Sequence, residues 1–208
     1  MTTRAVMIAE IEDDLERSDS TAISQKIGNA IRHYQGERFW FTETRASTFS
    51  TVIDQQDYAY GTDITDEFME LDGIYLTFGT SIIELKLVDY REIESLRDAT
   101  NPSGVPVRAA YINGTLALYP KPDAIYSVRL AGLIKKAAPA SDGETGNVWM
   151  NEGYDLIKSH AKAELCAVRY RDAESASIER GLEKEYFSEL RGKTAMKIGT
   201  GKIRPTQF

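Results

Sequence analysis

The chain has 208 residues and a formal charge of −7, with the apolar and charged fractions ordinary for a soluble protein. That length suffices for one large domain or two small ones. The negative balance argues against a chain-wide grip on nucleic acid, which needs clustered Lys and Arg. The single cysteine, Cys166, excludes an intrachain disulfide, and no apolar run approaches the ~20 residues of a membrane span.

The start, "MTTRAVMIAEIEDD", turns acidic too early for a secretion signal, so the reading is a soluble chain, intracellular when made. Ile8, Ile11 and Leu15 form one helical stripe, with Glu10, Glu12, Asp13, Asp14 and Glu16 mostly on the other faces. "RSDST" interrupts it and offers N-cap groups for a second helix, whose face is Ile23, Ile27, Ala30, Ile31 and Tyr34. Gly36 is a natural stop.

"GERFWFTE" follows, with Phe39, Trp40 and Phe41 in a row. Each such ring can bury ~150–250 Å², so the three are expected to wedge a helical and a β subdomain together where the chain leaves the helices. An aromatic platform for sugars or bases is the rival, but no second aromatic cluster lies close in sequence.

From there to about Pro139 the period becomes that of strands. "STFSTVI", "DYAY", "GIYLTF", "SIIELKL", "VRAAYI", "TLALY" and "IYSVRLAGL" are short and rich in β-branched or aromatic residues. Asp72-Gly73 and Asn113-Gly114 are both two-residue hairpin signals. "PKPD" is expected to be a turn outside any paired strand, since proline cannot donate to a ladder. One helix interrupts this region, with Asp89 and Glu92 in capping-box spacing.

After "APASDGETGN", two further stripes appear: Tyr154, Ile157, Ala161, Leu165 and Val168, then Ile178, Leu182, Tyr186 and Leu190, with a break near Asp172. The predicted fold is α+β: a bundle of about four helices with an inserted antiparallel β-domain and an extended C-terminal arm. Its boundaries are 1–36 and 141–191 for the bundle, 37–140 for the β-domain and 192–208 for the arm.

Catalytic signals are sparse. His33 and His160 each lack a ligand-spaced partner, Cys166 sits among Ala161, Leu165 and Val168 as a packed thiol, and no "GxSxG" elbow is present. "RGKT" lacks the earlier glycine and the preceding strand that a phosphate loop requires. The "EIEDD" carboxylates could in principle form an acid pair, but nothing marks one as desolvated. The chain is therefore expected to have no catalytic centre, no metal and no cofactor.

The order of features, "IEDDLERSD", a helix running into "RFWFTE", "STVIDQQDYAY", then "GVPVRAAYINGTLALYPKPDAIYSVRL", resembles the head–tail adaptors of tailed bacteriophages. It is most similar to the tail accessory or head-completion factors of short-tailed phages, from about Ile8 to Leu190. "YAYGTDI" stands at Tyr58–Ile64 where those proteins more usually have "YxLP". The resemblance implies a virion protein of the neck: a homo-oligomeric ring, dodecameric by that likeness, beneath the portal. It would join the portal protein to a tail nozzle or another tail-side protein and extend the DNA channel, assembling in the host cytoplasm. DNA would pass through without specific binding, and no membrane is involved.

The resemblance also implies portal docking through the C-terminal segment. Here that segment would use Lys193, Met196, Lys197, Ile198, Lys202, Ile203, Arg204 and Phe208. Residues 191–208, fully extended, could span roughly 55–60 Å. The other reading left open is a ligand- or peptidoglycan-binding virion module, possibly hydrolytic.

Overall fold

The computed structural model describes residues 2–198 of the chain. Its fold is mixed α+β, with six α-helices among the described residues and two four-stranded sheets. Glu43–Lys135 forms one compact unit, and the described residues on either side of it form the other.

In the helical unit, α1 (Arg4–Asp14) starts where the Thr3 hydroxyl accepts the Val6 N–H. The start of α2 (Ser20–Tyr34) is capped by the Asp19 carboxylate accepting the Ala22 N–H. Each cap satisfies a donor that the first helical turn would leave without a partner. Ile8 and Ile11 are buried as their spacing predicts, and so is the whole predicted face of α2.

The β unit contains β1 (Glu43–Ser50), β2 (Asp57–Ala59), β3 (Phe68–Phe78), β4 (Ser81–Glu84) and β5 (Lys86–Leu87). Then come α3 (Tyr90–Ala99), β6 (Ser103–Gly104), β7 (Arg108–Ile112), β8 (Thr115–Tyr119), β9 (Lys121–Pro122) and β10 (Ser127–Ile134). One sheet runs β1-β10-β3-β4 and is antiparallel throughout. The other runs β2-β8-β7-β5 and is mixed, because β5 and β7 are parallel. The excursion through α3 supplies the crossover that a parallel pair needs, so the expected antiparallel β-domain is corrected to a mixed one. Phe49, Tyr58, Ile74, Leu76, Leu116, Leu118, Val128 and Leu130 form the core of this unit.

Two turn readings came out differently. Asn113 and Gly114 join β7 to β8 with φ of 49° and 78°, the left-handed backbone that a two-residue hairpin demands. Asp72-Gly73 instead lies inside β3. Ala131 pairs with Gly73 and Gly132 with Leu71, which leaves Asp72 as the extra residue of a β-bulge. The tight spot there is Gly132, where a Cβ would stand 2.2 Å from the Glu70 carbonyl oxygen. The hairpin falls later, at Gly79-Thr80, with Gly79 at φ 59°.

The "PKPD" stretch is also partly paired, since β9 runs parallel to β6. It tolerates its prolines because the Lys121 N–H donates to the Pro102 carbonyl, while Pro122 only accepts, from the Asp54 N–H.

The chain re-enters the helical unit through α4 (Val148–Asn151) and α5 (Tyr154–Glu164). It continues as a π-helical turn over Leu165–Tyr170, then α6 (Ala173–Ile198). The wider turn explains an error in the predicted stripe. It rotates the following residues, so Val168 is 63% exposed although it stands in register with Leu165. Arg171 closes the turn at φ 56°, and Asp172 accepts the Ser175 N–H as α6 begins.

The expected extended arm from residue 192 is corrected over 192–198, which are the last turns of α6. Hydrogen bonding explains the continuation: the Thr194 hydroxyl donates to the Leu190 carbonyl, and Lys193 pairs with Glu189 one turn back. Lys202, Ile203, Arg204 and Phe208 lie outside the described residues.

Candidate docking surfaces

The three aromatics belong to the helical unit, whose boundary falls after Thr42, not before Glu37. Thr42 shapes their turn: its hydroxyl accepts the Phe39 N–H and reaches the carbonyls of Glu37 and Phe39. Phe39 is fully buried and stacks on Phe41, and both meet Trp149 edge-on. Trp149 is itself fully buried, with its indole N–H donating to the Lys136 carbonyl.

Trp40 has a separate role. Its backbone N–H donates to the Thr194 hydroxyl, and the Lys197 ammonium lies 4.1 Å from its ring centroid. The aromatic turn thus holds the last turns of α6. Of the predicted docking residues within the described chain, Lys197 is engaged with Trp40 and Lys193 with Glu189. Met196 is 79% exposed.

The structure also brings together residues that are far apart in sequence. His33 and His160 stack with ring centroids 4.9 Å apart. His160 Nδ1 lies 2.8 Å from Glu183 Oε1, which also accepts the Tyr34 hydroxyl. Opposite a carboxylate, the His160 Nδ1 must carry the proton. Burial pushes the Glu183 carboxyl up, but the bonds from Tyr34 and His160 more than reverse this and hold it below its ordinary value. Burial raises the Tyr34 hydroxyl, and the Glu183 bond raises it further.

One turn away, Lys162 bridges Glu179 of α6 at 2.5 Å and Asp14 of α1 at 3.2 Å. Burial alone would lower the Lys162 ammonium, but these two carboxylates hold it above its ordinary range. The inner face of α6 is therefore a polar seam. Ile178, assigned to that face by the predicted stripe, is 60% exposed.

Turning Glu179 and Glu183 inward leaves Arg180 and Lys184 on the outer side of α6. With Ala167, Arg171, Ala176 and Ser177 they border an open groove of about 520 Å³. Arg180 and Lys184 also line a smaller adjoining cavity of about 300 Å³ beside the histidine pair. Among the described residues, none of Arg171, Arg180 and Lys184 forms an ion pair. Sequence reasoning missed this cluster because the cations are separated by ordinary helical spacing. A detectable signal existed: small residues at 173, 176, 177 and 181 on one side of a charged helix.

Cys166 is buried, and burial with the nearby Asp172 and Glu179 carboxylates raises its thiol. Among the described residues no group of three His, Cys, Asp or Glu is placed to hold a metal ion, and no helix is long and apolar enough to cross a membrane. No protein-family model matches the chain, and no curated protein matches it.

Proposed function

We propose that the protein is a structural head–tail adaptor without a catalytic centre, assembled as a ring beneath a phage portal. In this reading the helical unit makes the body of the ring, the β-domain is its insertion, and the C-terminal segment docks on the portal. The observation that supports it is the end of α6. Trp40 holds Thr194 and Lys197, which fixes a helix end that offers exposed Met196 to a partner. Residues 199–208 follow directly in sequence and carry Lys202 and Arg204, no acid, and apolar Ile203 and Phe208.

Removing residues 192–208 would strip Thr194 and Lys197 from Trp40, so the test is a cut after Ile198. The shortened chain keeps its fold by circular dichroism and loses co-sedimentation with portal rings of the same virus. Met196→Asp weakens the same attachment even at high salt, because apolar burial does not depend on charge steering. Attachment at wild-type affinity both by the shortened chain and by Met196→Asp would refute the docking role. Single-carboxylate-dependent cell-wall hydrolysis by the pure protein would refute the adaptor reading as a whole.

A further inference from the structure

The groove beside α6 has a charge complement on the same chain. α1 has no acidic residue in its first turn and no basic residue in its last, so its carboxylates crowd the negative end of the helix dipole. Glu10 and Asp14 are compensated by Lys158, and Asp14 by Lys162 as well. Glu12, Asp13 and Glu16 form no ion pair among the described residues. The groove has the opposite imbalance: Arg171 stands just ahead of the positive N-terminus of α6, with Arg180 and Lys184 beyond it.

Within one subunit no ion pair joins the two patches among the described residues. Lys158 and Lys162, four residues apart, share the face of α5 that binds α1. His160, Ala163, Glu164 and Ala167 recur at helical spacing on the opposite face and line the two cavities. Yet the patches share one level of the unit, since Lys162 touches Asp14 of α1 and Glu179 of α6 at once.

From this geometry we infer that the groove receives the acidic end of α1 from a second copy of the chain, pairing Arg171, Arg180 and Lys184 with its Glu12, Asp13 and Glu16. A contact between two different patches is head-to-tail, the kind that propagates around a ring. Arg180 and Arg171 present the planar fork that grips carboxylates in pairs, and the small side chains of Ala176 and Ser177 leave room for a helix end. This inference rests on the adaptor reading for its biological setting, although the contact itself can be tested with the chain alone.

The experiment is a charge swap on the full chain. One variant carries R180E and K184E, the other E12K, D13K and E16K. All five positions lie outside the apolar core, and circular dichroism checks that both variants keep the fold. Sedimentation velocity over a concentration series measures self-association. Each variant alone associates about tenfold or more weakly than wild type, while an equimolar mixture regains association, because acid then meets base at every contact.

Carbodiimide cross-linking of wild type adds a map, with light and heavy isotope copies mixed. The expected product joins Lys184 of one copy to Glu12, Asp13 or Glu16 of another. A mixture that associates no better than either variant alone, or cross-links confined to other positions, would overturn the contact. Reversed variants that join portal rings as wild type does would overturn it too, while leaving the adaptor reading standing. Failure of wild type itself to join portal would sink that reading instead.

Discussion

α5 packs against α2 on one side and α6 on the other, and the two contacts use different physics. Toward α2, Ile157, Ala161 and Leu165 join Ile23, Ile27, Ala30 and Ile31, all essentially free of solvent. Toward α6, the close-packed Ser159 and Ala163 are flanked by Lys162–Glu179 and by the Tyr34, His160 and Glu183 cluster. The first contact needs only apolar residues of about the right size. The second works only with particular partners, since a buried charge left alone is costly whereas an apolar replacement of the pair need not be. The apolar face therefore supplies bulk cohesion, and the polar seam sets how α6 is placed.

The sharpest way to break this comparison is to remove one member of the seam. Lys162→Met leaves Glu179, at 9% exposure, without its cation and should cost about 3–5 kcal/mol in urea unfolding. Ile27→Ala, on the apolar side, should cost about 2–4 kcal/mol through lost transfer energy and a residual cavity. A Lys162→Met loss well below the Ile27→Ala loss would remove the seam from its ordering role.

Glu183→Gln should cost about 1–3 kcal/mol, since the amide keeps the shape but loses the charge-assisted bonds of Tyr34 and His160. It should also alter the acid limb of stability. The folded carboxyl titrates below its ordinary value of 4.5, so its stabilising contribution is complete above that value. It is lost as pH falls through the lower folded value. Glu183→Gln flattens that part of the profile, measured as urea midpoint against pH, whereas Ile27→Ala shifts the whole curve down without changing its shape. The smallest effect belongs to Ile178→Ser, which should stay within about 0.5 kcal/mol because the side chain already faces solvent.

The same contrast explains what could be seen in advance. The apolar face of α2 was legible residue by residue, because burying a periodic stripe is a local decision. In α6 the periodicity pointed to Ile178, Leu182, Tyr186 and Leu190, and of these only Leu190 is buried outright. Charged residues give no periodic clue that they will face inward, since their burial depends on partners from other helices. The docking residues divide in the same way. Lys193 and Lys197 were recognisable as cations, but their engagement with Glu189 and Trp40 followed from α6 continuing to Ile198.

By itself the sequence determined the α+β class, a helix start within "RSDST" and another at Asp89, the Asn113-Gly114 hairpin, and the return to helix after residue 147. These depend on side chains acting within a few residues of themselves: a cap, a left-handed turn, an apolar repeat. Only the tertiary structure decided the bulge at Asp72, the π-helical turn that sends Val168 outward, and the stacked His33–His160 pair. It also decided the inward turn of Glu179 and Glu183 that leaves Arg180 and Lys184 on the groove. The physical reason is the same in each case: a polar group or an extra residue is placed by the partner that satisfies it, and that partner stands on another element of the fold.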